Sequence, residues 1–332
     1  MSLRMELPAK IEPTPPKFRH GYAFDPSYGY DLAQLLAVNA PESPDDFADY
    51  WRGRHARAVT HDPRPRLRAS TAHGRWKVFD FQFCAADGVE LGGWVLLPRY
   101  QAATHVWVVG HGYGGREAPD WHWPLHDAAL IFPCARGFGR SHVPGVPHEA
   151  NRHVLHGIED KDRYVLGLCM EDLWLTVYAA RQMFPELNWI GYAGISFGGG
   201  LGALAAPWEP LIRGVHLNVP SFGHWPLRLL LPTVGSGAAL HAYVERHSHV
   251  PETLDYYDAA CAARYAHAPL FAALARFDPA VAPPGQFAIF NAWAGAKMLD
   301  VLSAGHFDYP QRLREEVRLD RMLVHWLRKL HS

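Results

Sequence analysis

Cysteine is scarce in this chain of 332 residues: there are four, Cys84, Cys134, Cys169 and Cys261, far apart and with no C-x-x-C pair. That spacing argues against a disulfide framework and against a zinc–cysteine site, and leaves buried free thiols as the expectation. No apolar run approaches the roughly 20 residues that a membrane helix needs. The opening stretch MSLRMELPAKIEPTPP lacks the apolar segment of a signal peptide, so a cytoplasmic location and no membrane partner are expected. An excess of one charge is missing too. Lys plus Arg number 32 against 33 Asp plus Glu, without blocks of like charge, which gives no electrostatic reason to expect nucleic acid. The 21 histidines raise the question of a metal hydrolase: His122, His126 and Asp127 sit close together, and His247 and His249 alternate. Yet H-E-x-x-H is absent, since His148-Glu149 has no second histidine, and neither metal nor other cofactor is expected.

What the chain does have is an alternation of elements. Residues 1–20 are Pro-rich and read as an extended arm. Short helices are expected over 31–60, the second starting from Ser43 as N-cap with Pro44 behind it. Trp76–Phe83 and Leu91–Leu97 read as two strands joined by a turn. Apolar runs at Val106–Gly110, Ala129–Ala135, Ile190–Ser196, Gly214–Pro220, Leu270–Arg276 and Met298–Ser303 read as further strands. Helical spacing marks Lys161–Phe184 and Pro310–Leu330. Such βα units imply a mostly parallel central sheet flanked by helices on both faces. Residues 221–260 break the alternation and read as a helical insertion near the site. The division expected is an arm with short helices over 1–60 and a catalytic domain over 61–332.

Gly194-Ile195-Ser196-Phe197-Gly198 matches G-x-S-x-G between strand character and a small-residue helix. A serine placed on a turn that tight needs neighbours without side chains, and glycines supply the room. The turn also aims the backbone N–H of Phe197 at the place where an oxyanion would form. Serine needs a base held by an acid, and in the α/β-hydrolase fold the chain order is Ser, acid, His. His306 follows the last strand and precedes the final helix. Asp278 ends the strand LFAALARF, where the acid belongs; Asp300 lies inside a strand, Asp308 lies too close to His306, and Asp255 and Asp258 remain competitors in the insertion. The Gly-rich loop after Val109 places the second oxyanion N–H on Tyr113, with His111 supporting the loop by hydrogen bonding and not as a metal ligand.

Several separate segments together resemble the acetyl xylan esterase / cephalosporin C deacetylase family, carbohydrate esterase family seven. His111–Arg116 reads HGYGGR, Arg136–Gly139 RGFG, Lys161–Tyr164 KDRY, Gly194–Gly200 GISFGGG, Asp278–Pro284 DPAVAPP and Gly305–Phe307 GHF. These keep the family's order over roughly residues 45–310. The resemblance departs at Phe197 and Phe138, where the family has glutamine, and at Phe307, where it has glutamate, so a more apolar pocket is expected. It implies a homo-oligomer, a hexamer with inward-facing sites. The function expected is a serine esterase releasing small acyl groups, acetyl first, from a carbohydrate or similar small-molecule alcohol. The alternatives are a peptidase or amidase on the same three residues, and a non-catalytic binding protein on the same scaffold.

Overall fold

A computed structural model describes residues 14–331. Nine strands form one sheet: β1 (Arg66–Ala69), β2 (Trp76–Cys84), β3 (Glu90–Pro98), β4 (His105–Gly110), β5 (Ala128–Pro133), β6 (Ile190–Ile195), β7 (Ile212–Asn218), β8 (Leu270–Ala275) and β9 (Lys297–Leu302). Their spatial order is β1-β2-β3-β5-β4-β6-β7-β8-β9. The first three strands run antiparallel to their neighbours, and from β5 to β9 every pairing is parallel. The parallel strands are buried on both faces, which is why they read in sequence as short unbroken apolar runs.

Two cores result, one per face. One collects Val106, Val108, Tyr192 and Leu217 against the Val165–Met183 and Phe197–Ala205 helices. The other packs Trp107, Val109 and Phe271 against Leu319, Leu323, Trp326 and Leu327 of the final helix, Arg312–His331. Those side chains fall at helical spacing, with Leu323 four residues after Leu319 and Trp326 and Leu327 three and four after Leu323, so one stripe of the helix is buried while its charged face meets water. Each buried leucine there contributes about 2 kcal/mol.

The structure corrects several expected details. Ser43 caps no helix: Pro44 accepts a turn bond from the N–H of Phe47, and the helix runs Phe47–Ala58 with Asp46 at its N-cap. The capping box lies earlier, at Asp31 and Gln34, before the Leu32–Leu36 helix. β1 was not expected at all. The long helix begins at Val165 instead of Lys161, β7 spans Ile212–Asn218, and β5 ends at Pro133. The expected arm lies partly outside the described residues, from 1 to 13. Between β7 and β8 the chain forms four short helices, Trp225–Leu230, Ser236–Val244, Val250–Tyr256 and Ala259–Ala263. No helix of the described residues is long and apolar enough to cross a membrane.

The carboxyl ends of β4, β6, β7, β8 and β9 open along one edge, where ligands of open parallel sheets bind. Register brings Gly110 beside Gly194 and Gly194 beside Leu217. At this crossing the backbones nearly touch. A Cβ on Gly194 would lie 2.4 Å from the carbonyl carbon and oxygen of Gly198, and one on Gly198 would lie 2.7 Å from the carbonyl oxygen of His111. Backbone on both sides cannot give way. Gly194→Ala is therefore expected to lose about 1–3 kcal/mol of stability, read as a lower urea midpoint. Gly114→Ala, where a Cβ meets nothing within 4 Å, stays within about 0.5 kcal/mol of the parent.

Candidate active site

Ser196 sits between β6 and the Phe197–Ala205 helix at φ 54°, ψ −113°. A side chain in that region is strained by about 1–3 kcal/mol and persists only when its surroundings hold it. Here they do. Ser196 N–H donates to Asn218 (2.9 Å), and the Ser196 carbonyl accepts from Gly200 (2.9 Å) and Ser221 (3.0 Å). Tyr192 Oη donates to the Gly198 carbonyl at 2.6 Å, and Gly198 N–H donates to His111 at 2.9 Å. The elbow is thus tied to β4, β7 and the loop after β7.

The strained turn presents Ser196 Oγ 2.9 Å from Nε2 of His306. Nδ1 of His306 lies 2.8 Å from Oδ2 of Asp278. Asp278 is fully buried. Its Oδ1 accepts the N–H groups of Ala280 and Val281, both at 2.9 Å, and its Oδ2 also accepts Gln286 Nε2–H at 3.1 Å. An ionised carboxylate only accepts, so Nδ1 of His306 carries the proton and Nε2 is left to accept from the serine. Gln286 is itself fixed, accepting from Ala275 N–H and donating to the Val281 carbonyl. Gly305 precedes His306 because nothing larger fits: a Cβ there would lie 2.5 Å from Asp278 Oδ2.

The loop bearing His306 is anchored from the final helix. Buried Glu315 accepts Ser303 N–H (2.8 Å), Ser303 O–H (2.6 Å) and Tyr309 O–H (2.7 Å), gripping both flanks of His306. Burial opposes the imidazolium of His306, but the Asp278 charge and hydrogen bond outweigh it, and its pKa is raised above 6.5.

The second loop is set by His111. Its Nε2 accepts Ala135 N–H at 2.9 Å, so Nδ1 carries the hydrogen and donates to the Gly112 carbonyl at 2.7 Å. Burial, then the charge of Arg116, lowers its pKa to about 4, so the ring stays neutral. No peptide of the described residues is cis. In a trans peptide C=O and N–H point opposite ways. With the Gly112 carbonyl drawn to the imidazole and to Gly115 N–H (3.0 Å), the N–H of Tyr113 is turned away from both. A Cβ on Gly112 would lie 3.7 Å from that of Ser196, so this peptide borders the hydroxyl. Phe197 is the first residue of its helix, and its N–H belongs to the four that the helix leaves without partners.

Aromatic rings surround these donors. Phe197 stacks on Tyr113 with centroids 4.1 Å apart, and Phe138, His153 and Phe222 surround it at 6.1, 5.8 and 6.0 Å. Phe307 packs instead against Phe277 and Phe18 of the N-terminal arm. The arm also reaches the acid, as the Pro26 carbonyl accepts Asp278 N–H at 3.0 Å.

The other acidic candidates are occupied elsewhere. Asp258 accepts four backbone N–H groups at a helix start, Asp300 pairs with Arg318 at 2.9 Å, and Asp255 and Asp308 are exposed. Among the described residues no cluster of three His, Cys, Asp or Glu side chains is arranged to hold a metal ion.

A profile of the acetyl xylan esterase family matches residues 32–326 of this chain. The chain belongs to that family. This acetyl xylan esterase family member is accordingly a carboxylic ester hydrolase on the α/β-hydrolase fold. Solved acetyl xylan esterases from Paenibacillus sp. and Thermoanaerobacterium sp. superpose with TM-scores of 0.73 and 0.74. Each is 21% identical, over 88% and 93% of this chain and 99% and 100% of theirs. An acylaminoacyl peptidase from Pyrococcus horikoshii reaches 0.57 at 13% identity, over 77% of this chain and 42% of that one. At such identities the superpositions carry the fold alone. No curated protein matches the sequence.

Proposed function

We propose that this esterase removes acetyl groups from a carbohydrate or similar small alcohol through Ser196, with His306 as base and Asp278 as its support. The observation that carries the reading is the unbroken relay from Ser196 Oγ to His306 Nε2 (2.9 Å) and from His306 Nδ1 to Asp278 Oδ2 (2.8 Å). His306 takes the hydroxyl proton as Ser196 Oγ attacks the ester carbonyl. The carbonyl oxygen becomes an oxyanion, held by the N–H groups of Tyr113 and Phe197, each worth about 3 kcal/mol in the transition state. The protonated imidazole gives its proton to the departing alcohol. Water then attacks the acyl-enzyme by the same route, with His306 again as base, and releases acetate.

The four cysteines, none of them in a disulfide, suit a reducing compartment such as the cytoplasm. We take the working form to be a homo-oligomer, read by light scattering. We further read residues 1–60 as an arm on a catalytic domain of 61–332, with the helices of 221–260 bordering its site.

The test sets p-nitrophenyl acetate against a peptide p-nitroanilide, with a fluorophosphonate probe as reporter of Ser196. Turnover of the ester with labelling at Ser196 is the expected result. Peptide cleavage exceeding ester cleavage would replace the reading with a peptidase, and no labelling at all would end it. The same assay has an expected pH dependence. The base works only unprotonated, so kcat/KM should fall as pH drops through the raised His306 pKa, with its midpoint above 6.5. The sign for stability is opposite. A raised pKa in the folded state means that this group's contribution is fully present below its ordinary value and is lost as pH rises through the raised one.

A further inference from the structure

Arg228, in the Trp225–Leu230 helix, is a buried cation with no anionic partner among the described residues. It is 8% exposed, and its Nη1 is buried with no hydrogen-bond partner. Its guanidinium lies over the ring of Trp225 at 4.4 Å and beside that of Phe222 at 5.8 Å. Aromatic faces attract a cation but supply no hydrogen-bond acceptor in its plane. Asp258, an acid on the next elements, spends both oxygens on the backbone N–H groups of His224, Trp225, Ala260 and Cys261. Among the described residues no carboxylate makes an ion pair with Arg228. Buried charges are ordinarily paired, and a guanidinium presents a planar fork matched to a carboxylate.

The helix is held against the site at both ends. On one side Ser221 N–H donates to the Ser196 carbonyl at 3.0 Å; on the other Val234 N–H donates to the carbonyl of Pro279, the residue after the acid, at 2.9 Å. Tyr28 of the arm adds a bond from its hydroxyl to the Pro232 carbonyl at 2.7 Å. Phe222, which Arg228 flanks, packs on Phe197 at 6.0 Å and lies 6.4 Å from Tyr113. Tyr113 Oη, on that same ring's other contact, is likewise buried with no partner. Two buried donors therefore border one aromatic wall beside the nucleophile, and neither has an acceptor among the described residues.

We propose that Arg228 is a specificity residue which pairs with a carboxylate carried by the ester substrate, with Tyr113 Oη as a second donor to it. This rests on the esterase reading above and deepens it: the substrate class is an anionic ester. The carboxylate can belong to the acyl part or to the alcohol part, and two matched pairs separate these. Monoethyl succinate against ethyl butanoate places the charge on the acyl side; 4-acetoxybenzoate against phenyl acetate places it on the alcohol side.

The native enzyme is expected to favour the charged member of one pair by at least tenfold in kcat/KM. Arg228→Met should abolish that preference, and Arg228→Lys, which keeps the charge but not the fork, should retain part of it. A native enzyme that favours the neutral member of both pairs overturns the proposal, as does a preference unchanged in Arg228→Met. Should Arg228→Met fail to fold, inhibition of the native enzyme decides: succinate or benzoate competing at least tenfold better than its neutral amide supports the carboxylate, and equal competition overturns it. Turnover of the neutral esters with Ser196 labelling is read in the same experiment, so loss of the esterase reading shows separately.

Discussion

Ser196→Ala is expected to lower kcat for p-nitrophenyl acetate by about 10⁵–10⁶-fold, while the fold survives. The loss is large because, in the proposed mechanism, the acyl-enzyme forms on this hydroxyl. The rate left over is what the Tyr113 and Phe197 N–H groups, as proposed, would still supply by stabilising an oxyanion made by water. Stability should hardly change, since alanine keeps the strain of φ 54° and loses one hydrogen bond worth about 1 kcal/mol. Ser196→Gly separates strain from chemistry. It should be as inactive as the alanine variant but more stable than it, because glycine takes positive φ without steric conflict. Thermal melts and initial rates of the three proteins check both halves. Retained turnover in Ser196→Ala would remove the serine from the mechanism.

Asp278→Asn should lower kcat by about 10⁴-fold, and the local bonds say why. Ala280 and Val281 donate to Oδ1, so the carboxamide keeps its oxygen there; the reverse orientation would set two donors against two donors. The NH₂ then occupies the Oδ2 position, facing His306 Nδ1 and Gln286 Nε2–H. Facing His306 it forces the hydrogen onto Nε2, the atom that must accept from Ser196. Facing Gln286 it opposes donor to donor, at about 1–3 kcal/mol of stability. Activity should recover partly at high pH, where the serine proton is lost more easily. A variant within tenfold of the parent would show that Asp278 does not set the tautomer.

The succession of strands along the chain and the place of the turn were readable because they depend on local pattern. Buried parallel strands announce themselves as apolar runs, and Gly194 and Gly198 stand where backbone meets backbone. β1 was invisible for the opposite reason: all four of its residues are exposed, so no alternation marks it, and only its bonds to β2 make it a strand. Ser43-Pro44 carried the signature of a helix start but formed a turn three residues early. Asp278 could be placed from its position after β8. Gln286 and Glu315 could not, because one glutamine and one glutamate in helices look like any others until the fold sets them beside the acid and the base. Arg228 is the same case: its neighbours in sequence are apolar, and only the packing makes its charge solitary.

The bonds from the arm have a consequence for synthesis. During translation Tyr28 leaves the ribosome well before Pro232, 204 positions later, and Pro26 waits longer still for the N–H of Asp278. Until then the arm has no permanent berth. The candidate site is therefore completed late, when an earlier-made segment is finally clasped by a much later one.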